Sequence, residues 1–190
     1  ALQQAKKYDD ALAVFAEVQA KYPQSEFGPA AQYRAAWVRY LKGETGPAKE
    51  QIQAFLTAHG ESPYVGDAAF LLGTILVGEG NYEDAQQQFR LVYEKFPDSE
   101  FGAEALFKSG ECLAQLGTTD QAAKVFEEFA TKYPDNPLTE QAILRAGDAG
   151  RGGASGSHDA CDEQADPLEG GGAEFGREEG AQLLLDCRVY

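Results

Sequence analysis

Residues 73–99 read GTILVGEGNYEDAQQQFRLVYEKFPDS, and this stretch decides the fold. Gly73 is followed by Ala85 twelve residues on, by Phe89 four further, and by Pro97 eight beyond that. From Tyr82 onward, Ala85, Phe89, Val92 and Phe96 recur at helical spacing and share one face. Gly80 stands where a helix can end cheaply in the left-handed region. Pro97 stops the helix that carries Phe89. Ser99 is expected to cap the next helix at its start. The unit is therefore a helix, a glycine turn, a second helix and a Pro-Ser turn.

The unit recurs. Ala11, Ala48, Ala85 and Ala122 are spaced by 37 residues, as are Phe15, Ile52, Phe89 and Phe126. Further columns are Tyr22, His59, Phe96 and Tyr133; Pro23, Gly60, Pro97 and Pro134; and Ser25, Ser62, Ser99 and Asn136. Ala31, Ala68, Ala105 and Ala142 keep step, with Tyr33, Phe70, Phe107 and Leu144. Small residues fill two more columns, Ala36, Gly73, Gly110 and Gly147, and Gly43, Gly80 and Gly117. Pro63 and Pro137 suit a first helical position. Glu26 and Glu100 suit the positive end of a helix. The register predicts an all-α solenoid with helices over 6–21, 26–42, 46–59, 63–79, 82–95, 100–116, 119–132 and 137–149. No strand-length alternating segment competes with it.

A small residue, Ala, Phe and Pro at these offsets resemble the tetratricopeptide repeat (TPR) family. The resemblance covers residues 1 to about 149. It implies a right-handed superhelix of antiparallel helix pairs, with the first helix of each pair lining an inner groove. Two departures stand out. The period is 37 against the family's usual 34. Val18, Phe55, Val92 and Phe129 replace a residue that is usually small. The longer unit with its Tyr-Pro-x-Ser turn, as in Tyr22 to Ser25, is similar to a bacterial cell-envelope subgroup. That subgroup includes the Tol-Pal-associated CpoB (YbgF) proteins and the BamD outer-membrane assembly lipoproteins. The resemblance implies a periplasmic or outer-membrane-associated scaffold.

Composition sets limits on function. The chain has 190 residues and a net charge of −15, which disfavours nucleic acid because phosphates need Lys and Arg. An anionic membrane surface is disfavoured likewise. No apolar run approaches the ~18 residues of a membrane span. Three widely spaced cysteines exclude a disulfide-dense scaffold. The chain has no methionine and starts near the end of a first helix by register, so it reads as a fragment or processed product. The register is lost after residue 149. Residues 150–190 carry nine glycines and a net charge of −6, the composition of a disordered or aberrant acidic tail. Only Glu178 to Arg188, with Leu183, Leu184 and Leu185, suits a short helix.

Catalytic chemistry is sparse. His158, Asp159, Cys161, Asp162 and Glu163 are metal-ligand types, but their spacing fits no zinc pattern. Cys112 falls in the column of Val38 and Ile75 and reads as a buried hydrophobe. His59 falls in an aromatic column and reads as a helix-end packing residue. No cofactor and no metal are expected.

The candidate site is instead a face. Carrying over the family's groove positions gives Ala30, Tyr33, Trp37 and Tyr40 in one unit. It gives Asp67, Phe70, Thr74 and Val77 in the next, and Glu104, Phe107, Glu111 and Ala114 in the third. Aromatic anchors edged by carboxylates suit a protein or peptide partner. Tyr33, Phe70 and Phe107 also suit helix-on-helix packing, because they recur each 37 residues. Trp37 and Tyr40 do not recur. The expected function is a non-enzymatic interaction scaffold. The alternative is a repeat segment of a larger enzyme whose catalytic domain lies outside this chain.

Overall fold

The computed structural model describes residues 2–22, 25 and 27–152, with side chains between residues 6 and 150. Every regular element among them is an α-helix. In order these are α1 (Leu2–Lys21), α2 (Phe27–Lys42), α3 (Thr45–Ala58), α4 (Val65–Gly78), α5 (Tyr82–Lys95), α6 (Gly102–Gln115), α7 (Thr119–Lys132) and α8 (Thr139–Gly152). The chain divides into two compact units, whose described parts are residues 2–68 and 69–152. The all-α repeat fold expected from the 37-residue register is the fold observed.

The glycine turns follow from backbone sterics. Gly43, Gly80 and Gly117 have φ of +88°, +75° and +74°, the left-handed region that a side chain resists. Each second helix ends at a residue of the aromatic column. The amides of His59, Phe96 and Tyr133 donate to the carbonyls of Phe55, Val92 and Phe129. His59 lies with its ring 5.3 Å from that of Phe55, so it packs at a helix end as its column suggests.

The helix starts differ from expectation. Ser62, Ser99 and Asn136 do not cap helices, and Pro63 and Pro137 are not first helical residues. A hydrogen-bonded turn intervenes: the amides of Val65, Gly102 and Thr139 donate to the carbonyls of Ser62, Ser99 and Asn136. The polar side chains serve that turn. Ser99 Oγ donates to the Phe96 carbonyl, and Asn136 Oδ1 accepts from the Leu138 amide. Ser25 makes the same turn bond as Ser99, to Tyr22. The cap of α6 is Phe101, which makes no side-chain cap bond. The reason is packing: the turn brings an apolar residue inward just before the helix. Phe101 stacks on Phe70 at 4.5 Å, and Tyr64 stacks on Tyr33 at 5.7 Å. Leu138 packs at the equivalent place, in the cluster that holds Phe107.

Within the first unit, α1 packs on α2 and α2 on α3. Ala11 and Phe15 meet Ala31, Ala35 and Val38 there. Within the second, α5 packs on α6, α6 on α7 and α7 on α8. Leu106, Phe107 and Leu113 meet Ala122, Phe126, Phe129 and Ala142. The small columns are where rings enter. A Cβ at Gly73 would lie 2.8 Å from the Phe89 ring, and one at Gly110 would lie 2.8 Å from the Phe126 ring.

Candidate functional site

In the first unit the expected groove residues lie on α2 and at the start of α4. Successive turns of α2 carry Ala30, Tyr33, Trp37 and Tyr40. Their rings follow one another, Tyr33 to Trp37 at 6.4 Å and Trp37 to Tyr40 at 6.1 Å. Tyr33 also meets Phe55 at 6.3 Å. Tyr33 and Trp37 are buried, whereas Ala30 and Tyr40 keep part of their surface. Burial pushes the Tyr40 phenol above its usual range, because the phenolate would lose hydration. Asp67 is partly exposed in the first turn of α4, where the helix dipole favours a carboxylate.

In the second unit, Phe70 and Phe107 are buried. Phe70 meets Phe89 at 5.6 Å, and Phe107 meets Phe126 and Phe129 edge-on at 5.4 and 5.5 Å. These two rings hold helix against helix and form a floor. Thr74 and Val77 are partly exposed on α4, and the Thr74 hydroxyl donates to the Phe70 carbonyl. Glu104, Glu111 and Ala114 are partly exposed on α6. Burial raises the Glu104 carboxyl above its ordinary range, against the opposing pull of Lys108, whose ammonium is 3.7 Å away. Glu111 pairs at 3.2 Å with Arg145 of α8. The Arg145 guanidinium also lies 5.8 Å from the centre of the Phe107 ring.

Sequence reading missed the cations of this face. Lys108 and Arg145 belong to one 37-residue column with Arg34 and Leu71. It also missed the column Phe27, Tyr64, Phe101 and Leu138, although its spacing is as regular as the others.

Among the described residues, no three metal-ligating side chains gather. Cys112 is buried, and desolvation raises its thiol to about 12, so the thiolate is not formed near neutrality. The group at His158 to Glu163 and the segment Glu178 to Arg188 lie outside the described residues. No helix among the described residues is long and apolar enough to cross a membrane.

The fold defines a class: antiparallel helix pairs in tandem repeat. The tetratricopeptide repeat pattern matches residues 33–100 and 70–137, and a second tetratricopeptide repeat pattern matches residues 1–25. The chain belongs to the tetratricopeptide repeat family. Several solved structures are similar in fold. PcrH from Pseudomonas aeruginosa is 23% identical, with a TM-score of 0.53 over 69% of this chain and 95% of that one. Two structures of a Podosopora anserina putative kinesin light chain with nearly identical TPR-like repeats, one of them of a point variant, are 14% identical. They have TM-scores of 0.63 and 0.62 over 98% of this chain and 88% of theirs. No curated protein matches the sequence.

Proposed function

We propose that the chain is a non-enzymatic scaffold that docks a segment of a partner protein on the first-helix faces of its repeats. One observation carries this reading. In each unit a buried aromatic floor supports partly exposed side chains at the same register positions. Tyr40 and Asp67 are those of the first unit, and Thr74, Val77, Glu104 and Glu111 those of the second. Rigid helices hold these groups, so little ordering entropy is lost on docking. The carboxylates and the net charge of −15 favour a partner segment that carries Lys or Arg. The Tyr-Pro-x-Ser turns support a place in a bacterial cell-envelope complex.

The test is capture of partners from envelope extract by the full chain, followed by crosslinking. Tyr40→Ala and the double change Glu104→Lys, Glu111→Lys should each weaken capture at least tenfold. Helicity at the assay temperature should be retained in both, although the double change also removes the Glu104–Lys108 and Glu111–Arg145 pairs. Capture that survives both changes would move the binding site elsewhere.

A further inference from the structure

The outer face of α8 differs from its counterparts in the same chain. Leu106 and Phe107 of α6 are 0% and 4% exposed, whereas Ile143 and Leu144, 37 residues on, are 57% and 67% exposed. Ala69 and Phe70 of α4 are buried as well. The cause is visible inside each unit. Phe55 of α3 covers Tyr33, Phe89 of α5 covers Phe70, and Phe126 and Phe129 of α7 cover Phe107. The covering helices share one pattern: a small residue, a large apolar residue four on, and another three beyond. These are Ala48, Ile52 and Phe55; Ala85, Phe89 and Val92; and Ala122, Phe126 and Phe129, all buried.

Continued at the 37-residue step, the sequence does not supply this pattern. In register its three positions are Asp159, Glu163 and Asp166. Three carboxylates packed against Ile143 and Leu144 would each lose hydration.

We infer that the Ile143–Leu144 face of α8 docks an amphipathic helix of a partner protein, with the pattern small, large apolar at +4 and large apolar at +7. The face continues the interface already built between α6 and α7, so the same side-chain geometry recognises the incoming helix. The polar side of that helix is basic. The chain has a net charge of −15, and Glu127, Glu128 and Glu140 are exposed on α7 and α8. A second copy of this chain is the poorer occupant. Two copies that each carry a net charge of −15 repel one another, whereas a basic helix is attracted. Leu144 continues the Tyr33, Phe70 and Phe107 column onto α8. Tyr40 belongs to the first unit, so Tyr40→Ala should leave this face intact.

The probe is a peptide with the sequence of residues 119–133, bridged by a lactam between Lys124 and Glu128. Both are exposed on α7, and the bridge supplies the helix nucleus that an isolated peptide lacks. Binding to the full chain is read by fluorescence anisotropy, and self-association by sedimentation. The expected result is saturable binding, weakened at least tenfold by Leu144→Asp in the chain or by Phe126→Asp in the peptide. A peptide with Asp120→Lys and Glu127→Lys should bind several-fold tighter at low salt. Absence of binding overturns the inference, as does binding indifferent to Leu144→Asp. A dimer that Leu144→Asp dissociates would assign the face to a second copy. A melting midpoint lowered by Leu144→Asp without peptide binding would assign it to the chain itself. Either result overturns the partner helix.

Discussion

At the scale of single residues, close approach decides which changes the fold tolerates. The Phe126 ring occupies the space that a Cβ at Gly110 would need, at 2.8 Å. Gly110→Leu should therefore overpack α6 against α7 and cost about 1–3 kcal/mol. Phe89→Ala leaves a cavity in a fully buried site and should cost about 3–5 kcal/mol. Urea titration checks both, and an unchanged midpoint would remove these residues from the core. Glu104 gives a pH signature. Burial raises its folded pKa, so between the unfolded and folded values the native state holds more protons than the unfolded state. Its contribution to stability is thus fully present below the unfolded pKa and falls as pH rises through the folded value. Glu104→Gln should remove that fall. The variant should be more stable than the parent at neutral pH, with the advantage shrinking towards pH 4. Paired melting curves across pH 4–8 read this, and a constant difference would contradict it.

At the scale of elements, the three glycine turns place Glu44, Asn81 and Thr118 at equivalent helix starts, yet they cap unequally. Asn81 accepts from the Asp84 amide, while Glu44 and Thr118 make no side-chain cap bond. Thr118 Oγ1 donates back to the Leu113 carbonyl instead. Asn81→Ala should cost about 0.5–2 kcal/mol, as loss of a cap does elsewhere. Glu44→Ala should cost less, and equal costs in thermal melts would show that the cap bond adds nothing. The helices themselves were legible because glycine turns and apolar spacing each leave a mark in one residue column. Their starts were less so. Ser62, Ser99 and Asn136 have the chemistry of caps, but each faces an aromatic or aliphatic residue two positions on. Burying Tyr64, Phe101 or Leu138 favours a turn before the helix. The site was legible as positions only. Recurrence set Phe70 and Phe107 apart from Tyr40, but Trp37 does not recur either and is buried, so the sequence could not separate Trp37 from Tyr40. The pairing of Glu111 with Arg145 joins two helices whose separation along the chain hides it.

At the scale of the whole molecule, each unit holds a core made of its own side chains. The α1–α2 cluster centres on Phe15, and the α6–α8 cluster on Phe126 and Phe129. Repeat arrays couple mainly through neighbouring elements, so damage should spread by adjacency and then fade. Hydrogen exchange can follow this amide by amide, because local opening free energies differ along such a chain. Phe126→Ala should speed exchange through α6, α7 and α8. It should leave the amides of α1 and α2 close to their original protection. Phe15→Ala should do the reverse, loosening α1 and α2 and sparing α7. The two changes lie in separate clusters, so the double variant should show the sum of the two exchange patterns. If either substitution instead accelerated every helix equally, folding would be all-or-none across both units. The nearest-neighbour account of this array would then be wrong.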